Sequence, residues 1–222
     1  MSKRGFDIIF ALTVLALTSP LMLVGMAVVR LSSPGTIFYV AARAGRDSVP
    51  FAMLKLRTMH EGSAHASPIT GPNDTRIFIA GRILRVTKID ELPQFINVLR
   101  GDLSVVGPRP EDPSIVEMLY TPWMKETLAV RPGITSPGAI FGYLNEKMLL
   151  DPDDPEGSYA TKLLPIKLAV ERVYLDRATF LSDLGVIGKT VLAIVIRVTG
   201  VSVPLIARDI RNARTFLAQK ET

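Results

Sequence analysis

Residues 8–29 read IIFALTVLALTSPLMLVGMAVV, 22 consecutive positions without a charge. At about 1.5 Å of rise per residue a straight helix of that length spans the ~30 Å hydrocarbon layer, so the segment is expected to sit in a membrane. Lys3 and Arg4 precede it, as they would in a secretory signal. The run is longer than the roughly 7–15 residue apolar region of such a signal, and it lacks an A-x-A cleavage site. Ser19-Pro20 falls at its midpoint. Proline removes one helical hydrogen bond and clashes with the preceding turn, so a break or kink is expected there. A kink lets the helix cross the bilayer; a sharp break leaves two halves too short to cross, and the chain returns to the side it came from. Lys3 and Arg4 flank one end and Arg30 the other, so the positive-inside rule does not favour a crossing. In the hairpin alternative, the Ser19 hydroxyl is free to bond a backbone carbonyl left over by Pro20. The pattern alone leaves both topologies open.

Outward from this segment, 222 residues with 48% apolar content are enough for one domain with a core. A mean hydropathy of +0.29 beside 21% charged residues reflects apolar residues gathered into segments. The absence of cysteine removes disulfide scaffolds, thiolate zinc sites and cysteine nucleophiles, and two histidines make a histidine triad or His-rich metal site improbable. Residues 32–59 are expected to form a β-hairpin around Gly45-Arg46-Asp47-Ser48, with period-two alternation placing Lys55 and Arg57 on one face. The Gly/Ser/Pro-rich stretch 61–74 reads as a loop, followed by a short helix carrying Arg76, Arg82 and Arg85. A second helix is expected to start at Thr87 as a capping residue, with Asp90 and Glu91 in its first turn and Gly101 as its stop. SVVGPRP at 104–110 and RPGITSPG at 131–138 read as proline-locked turns, each holding an arginine. The DPDDPE run at 151–156 lacks the spacing and glycine of a calcium loop and reads as a solvated connection. From Leu184 to Leu205 only Lys189 and Arg197 interrupt an apolar pattern, that of an amphipathic helix at a membrane surface or of a core helix. Arg208, Arg211 and Arg214 then form a stripe that suits anionic lipid or plain solvent.

Residues 1–110 hold 13 Lys/Arg against 7 Asp/Glu, whereas 111–222 hold 13 against 14, so the positive field belongs to the first half. Within it, Asp90-Glu91 lies among Lys55, Arg57, Arg76, Arg82, Arg85, Lys88, Arg100 and Arg109. Acidic residues in a first helical turn complement the helix dipole and on that ground alone need no further function. A basic helix beside a membrane is likewise drawn to anionic lipid. Together the two groups suggest a site for a phosphorylated anion, with free N–H groups and bidentate arginines as donors. The positive field is expected to lower a carboxylate pKa and keep it ionised, as an aspartate attacking phosphorus must be. Neighbouring helical residues point about 100° apart, so one nucleophile and one proton acceptor is the natural division of the pair.

Three stretches, LSSPGTIFYVAARAGRDSVPFAMLKLRTM (31–59), RILRVTKIDELPQFINVLRGDLSVVGPRP (82–110) and RPGIT (131–135), resemble the bacterial sugar transferase family of monotopic phosphoglycosyl transferases. YLDRATFLSDLGVIGKTV at 174–191 resembles the family's closing segment. The resemblance implies an enzyme on the cytosolic face of the bacterial inner membrane. Such an enzyme moves a sugar-1-phosphate from a UDP-sugar donor to polyprenol phosphate, releasing UMP, with Mg2+, at the first membrane step of glycoconjugate assembly. The family's acidic dyad falls on Asp90 and Glu91: Asp90 would form a phosphosugar-aspartyl intermediate, and Glu91 would assist the lipid phosphate or, with Asp90, hold the metal. Lys55, Arg57, Arg85 and Arg109 match basic positions of the motifs, and Arg131 heads RPGIT; the five are taken as ligands of substrate phosphate. Ser19-Pro20 falls on the family's break in a re-entrant helix, which favours the hairpin.

The implied fold is α/β but mainly helical and monotopic. It comprises an N-terminal re-entrant helix-break-helix over 1–31, a catalytic region with a small β-hairpin over 32–183, and surface amphipathic helices over 184–222, within one structural domain. Ser48 stands where the family often has a second glycine, and residues 139–172 follow the family poorly, which leaves the sugar unassigned. Membrane lipids are expected partners and a homodimer is left open. The rival reading is a non-catalytic, basic, membrane-attached binding protein for anionic partners. Nucleic acid is not expected, because aromatics are not interleaved with the cations as stacking platforms.

Overall fold

The computed structural model describes residues 3–63, 69–71, 74–201 and 203–220; parts of the 61–74 loop therefore lie outside the described residues. The chain is mainly helical, with two small two-stranded sheets. Helix α1 (Lys3–Ser32) runs through Pro20 as one helix, where the sequence suggested two separated by a break. Pro20 has no N–H to offer the carbonyl four residues back, and the Ser19 hydroxyl takes its place, donating to Ala16 O at 2.9 Å. Both ends of α1 are tied to the rest of the protein. Arg4 donates to Val98 O and Leu99 O at 2.6 and 2.9 Å, and buried Asp7 accepts from Val105 N and Ser104 Oγ at 3.0 and 2.8 Å. At the other end Val29 packs with Leu56, Phe78 and Leu84, and Gly25 lies so close to Leu56 and Ile89 that a Cβ there would clash. Between these anchors Leu12, Leu17, Leu21, Leu23 and Val24 are exposed. Helix α1 is thus long and apolar enough to cross a membrane.

Strands β1 (Phe38–Ala44) and β2 (Pro50–Leu56) form the expected antiparallel hairpin. Its turn places both Asp47 and Ser48 in the left-handed region, at φ 54° and 64°, which explains why glycine suits position 48. Helix α2 (Ile79–Thr87) follows the loop and ends on left-handed Lys88. Next come a 3₁₀ turn (Ile89–Glu91) and α3 (Gln94–Arg100), which Gly101 stops at φ 95°. Two local expectations are corrected here. Thr87 caps nothing, because its hydroxyl donates backwards to Ile83 O at 2.8 Å. Asp90 and Glu91 precede α3 in the 3₁₀ turn and do not occupy its first turn.

The two proline-locked turns prove to be partners. Strand β3 (Ser104–Val106) pairs in parallel with β4 (Gly133–Thr135), and the Gly107 and Gly133 backbones touch so closely that neither admits a Cβ. Helices α4 (Pro113–Leu119) and α5 (Pro122–Lys125) lie between those strands in sequence. After β4 come α6 (Pro137–Leu149), α7 (Pro155–Ser158), a π turn (Tyr159–Leu163), α8 (Leu164–Leu175), α9 (Phe180–Thr199) and α10 (Ala207–Lys220). Within the DPDDPE run, Asp154 caps α7 through Gly157 N at 2.9 Å. Helix α9 starts at Phe180 under a Thr179–Ser182 capping box, buries Val186, Ala193 and Ile196, and exposes Val191, Val195 and Val198. Helix α10 packs on α8 through Ala213, leaving Arg208, Arg211 and Arg214 exposed. One buried cluster runs from Ala11 of α1 through Leu103, Phe141 and Leu168 to Val186 and Ile206.

Candidate active site

Asp90 and Glu91 sit at the floor of a cavity of about 780 Å³. Three neighbours fix their place. The 3₁₀ turn packs on β2, and Asn97 of α3, fully buried, accepts from Leu54 N at 3.0 Å and donates to Ala52 O at 2.7 Å. That side chain registers the strand bearing Lys55 against the helix that follows the dyad. The β3–β4 crossing supplies Arg109: Gly107 N donates to Thr135 O at 3.0 Å and Gly133 N to Pro108 O at 2.9 Å, so the residue between the two prolines of GPRP has little freedom.

The two carboxylates have opposite surroundings. Glu91 accepts from both terminal nitrogens of Arg109, Nη1 at 3.3 Å, and from Lys88 Nζ at 3.1 Å, with Lys55 Nζ 3.7 Å away. Burial alone would raise its pKa, but Arg109, Lys88 and Lys55 hold it well below the ordinary carboxylate range. Asp90 is only 5% exposed, and its Oδ1 is buried without a hydrogen-bond partner. Burial, and next the Glu91 charge, push Asp90 up to about 6 against the pull of Lys55, Lys88 and Arg85. This reverses the expectation of a lowered nucleophile pKa, because desolvation and the adjacent carboxylate outweigh the cations. Burial likewise brings Lys55 down to about 7, against the pull of Glu91.

The other residues singled out by sequence separate into groups. Lys55, Arg57, Arg85 and Arg109 all line the cavity, whose wall carries eleven Lys/Arg against seven Asp/Glu among the described residues. Arg85 donates to the Thr58 hydroxyl at 2.9 Å and lines the cavity. Arg57 is buried and committed elsewhere: it donates to Thr36 O, Ser33 Oγ and Ser33 O at 2.5, 3.0 and 2.8 Å, tying the end of α1 to the hairpin. Arg131 is exposed and absent from the wall. Its motif acts through backbone, by pairing β4 with β3 behind Arg109.

Sequence reading missed several residues here. Lys88 lies 4.7 Å and Arg197 5.6 Å from the centroid of the Tyr143 ring, whose hydroxyl donates to Val86 O at 2.5 Å. Glu171 of α8 is buried and accepts from Arg109 N at 3.3 Å and from Ser136 Oγ; burial pushes it up to about 7. Glu111, Tyr159 and Lys167 form a closed buried cluster in the same wall, with Tyr159 Oη donating to Glu111 at 2.8 Å. None belongs to a motif, and helical spacing alone does not show that 143, 171 and 197 converge.

No group of three or more His, Asp or Glu among the described residues converges as a metal site. The Glu91 oxygens are covered by cations, so Glu91 does not fit a ligand role. The free Oδ1 of Asp90 fits a cation such as Mg2+ that arrives with phosphate oxygens and takes only one or two protein carboxylates.

Residues 1–197 match the family model described as bacterial sugar transferase. Over 196 residues the chain is 33% identical to the UDP-N-acetylgalactosamine-undecaprenyl-phosphate N-acetylgalactosaminephosphotransferase of Aeromonas hydrophila, covering 86% of this chain but 43% of that protein. It is 34% identical over 197 residues to the UDP-glucose:undecaprenyl-phosphate glucose-1-phosphate transferase of Caulobacter vibrioides (86% and 68%). It is 33% identical over 210 residues to the exopolysaccharide production protein ExoY of Rhizobium meliloti (87% and 85%). The chain thus spans less than half the length of the Aeromonas relative.

Proposed function

We propose that this chain, which belongs to the bacterial sugar transferase family, transfers a sugar-1-phosphate from a UDP-sugar to polyprenol phosphate at a membrane surface. Relatives named as undecaprenyl-phosphate sugar-1-phosphate transferases support the reaction class, and family membership sets aside a non-catalytic binding role. The observation that carries the mechanism is the asymmetry of the dyad: Glu91 has its charge matched by three cations, whereas Asp90 keeps a buried, unpartnered oxygen at the floor of a cationic cavity.

Ionised Asp90 attacks the sugar-side phosphorus of the donor. An O–P bond forms, the bond from that phosphorus to the bridging oxygen breaks, and UMP leaves with the electron pair. A polyprenol phosphate oxygen then attacks the same phosphorus, the aspartyl O–P bond breaks, and the lipid diphosphosugar departs with Asp90 restored as a carboxylate. Lys55 and Arg85 face the charge that develops on the transferred phosphoryl group, the role positioned cations play in phosphoryl transfer generally. Glu91, held well below its ordinary pKa, is a poor proton acceptor near neutrality; its part is to gather Arg109, Lys88 and Lys55 beside Asp90. Magnesium bound to the diphosphate would neutralise charge there, with the Asp90 oxygen that does not attack phosphorus as its protein contact.

For topology we favour the re-entrant arrangement, with both ends of α1 on the cytosolic face of the inner membrane. The anchoring of both ends to one protein body supports it, although α1 continues through Pro20. Two measurements test the reading. UMP release from a UDP-sugar panel should require both polyprenol phosphate and Asp90 for turnover. Cysteines placed at 3 and 31 should both be shielded from a periplasmic thiol reagent; labelling of one alone shows a crossing helix.

A further inference from the structure

A second cavity, of about 430 Å³, opens between α6, α9 and the start of α10. Leu144, Ile196 and Ile206 are among the aliphatic residues that line it, beside polar surface that includes Asn145, Lys147 and Arg197. Its mouth carries Val201 and Val203, 57% and 44% exposed, beside the exposed valine face of α9. It shares Val86, Lys147 and Arg197 with the cavity that holds the dyad. Two cations, Lys147 and Arg197, thus line both cavities.

Arg197 stands at that junction. Its guanidinium stacks on Tyr143, and its only described ion pair is a long one, 3.8 Å to Glu146, which is itself half exposed. The guanidinium is thus oriented by a ring and keeps donors for an anion. The same Tyr143 ring also carries Lys88, 4.7 Å from its centroid, and Lys88 bonds Glu91 at 3.1 Å. Arg197 and the dyad's Lys88 thus share one aromatic ring. A ligand with an aliphatic chain and a terminal phosphate matches this order of surfaces, chain in the α6–α9–α10 cavity and phosphate on Arg197.

We propose that this second cavity receives the isoprenoid end of the lipid acceptor and that Arg197, with Lys147, is its phosphate ligand. The inference rests on the transfer reaction proposed above.

The test is binding of undecaprenyl phosphate, farnesyl phosphate and phosphatidylglycerol to the full-length protein in detergent, followed by native mass spectrometry. Unfolding midpoints confirm that each variant is folded. Arg197→Gln should weaken both isoprenyl phosphates at least tenfold, and Arg197→Lys should recover most of that loss. Val203→Asp, at the exposed mouth, should weaken the long-chain phosphate more than the short one. Binding within twofold of wild type in both Arg197→Gln and Val203→Asp would overturn the proposal. So would an equal loss for phosphatidylglycerol, which would mark a general anionic-lipid surface. UMP release by the wild type reads the reaction separately: its absence alongside Arg197-dependent lipid binding would remove the proposed transfer and leave the binding site standing.

Discussion

Replacing Asp90 with asparagine should stop transfer and at the same time stabilise the protein. Burial raises Asp90 from the ordinary 3.8 to about 6, so the folded state holds a proton there more firmly than the unfolded chain does. A raised carboxylate contributes stability that is fully present below pH 3.8 and is lost as pH climbs through 6. At about 1.4 kcal/mol per pH unit, ionised Asp90 costs on the order of 3 kcal/mol at pH 8, about half of that at pH 5 and little at pH 4. Asparagine keeps the shape and never ionises, so it removes that pH-dependent cost. For a chain of this size roughly 2–4 °C of midpoint accompanies each kcal/mol, which puts the variant about 5–10 °C above wild type at pH 8. The assay is thermal unfolding of both proteins in one detergent at pH 4, 5 and 8. A gap that is absent at pH 8, or that stays constant across the three, would refute the reasoning that burial governs Asp90.

Three further outcomes are expected. Formation of the phosphosugar-enzyme should rise with pH as Asp90 ionises near 6 and fall again as Lys55 loses its proton above about 7, whereas a flat profile above pH 5 would assign both limbs elsewhere. Arg109→Met strips Glu91 of its bidentate partner but leaves Lys88 and Lys55; loss of a buried pair at the low end of about 3–5 kcal/mol should lower the unfolding midpoint by more than 5 °C, while Arg131→Gln, at an exposed position, shifts it by about 1 °C or less. Arg57→Gln loosens the join between α1 and the hairpin and should lower stability by about 2 kcal/mol with the donor KM unchanged; a tenfold rise in KM at unchanged stability would return Arg57 to the substrate.

Local features of the fold were legible because local physics fixes them. The apolar run 8–29, the Gly45–Ser48 turn and the Gly101 stop depend on neighbours in sequence, and each appears near its expected place. Long-range pairing was not legible. SVVGPRP and RPGIT read as two unrelated turns, because a parallel pair needs no short connection between its strands and leaves no turn signature. The same gap misplaced Arg131, whose motif serves by its backbone, and hid Glu171, Tyr143 and Arg197, which reach the site from helices far along the chain. Charge counting identified the cations but not their assignments. It could not show that Arg57 is consumed by carbonyls, nor that Glu91 collects the cations and leaves Asp90 governed by desolvation.

The central claim is that Asp90 takes the sugar-phosphate covalently, and intact-protein mass tests it most directly. The protein is incubated with each member of a UDP-sugar panel and magnesium, without lipid acceptor, beside Asp90→Asn. A gain of one sugar-phosphate in the wild type, absent from the variant and discharged by polyprenol phosphate, is the predicted result and identifies the sugar. A sample that releases UMP on adding the lipid yet never gains mass, or an Asp90→Asn protein that turns over normally, would contradict it.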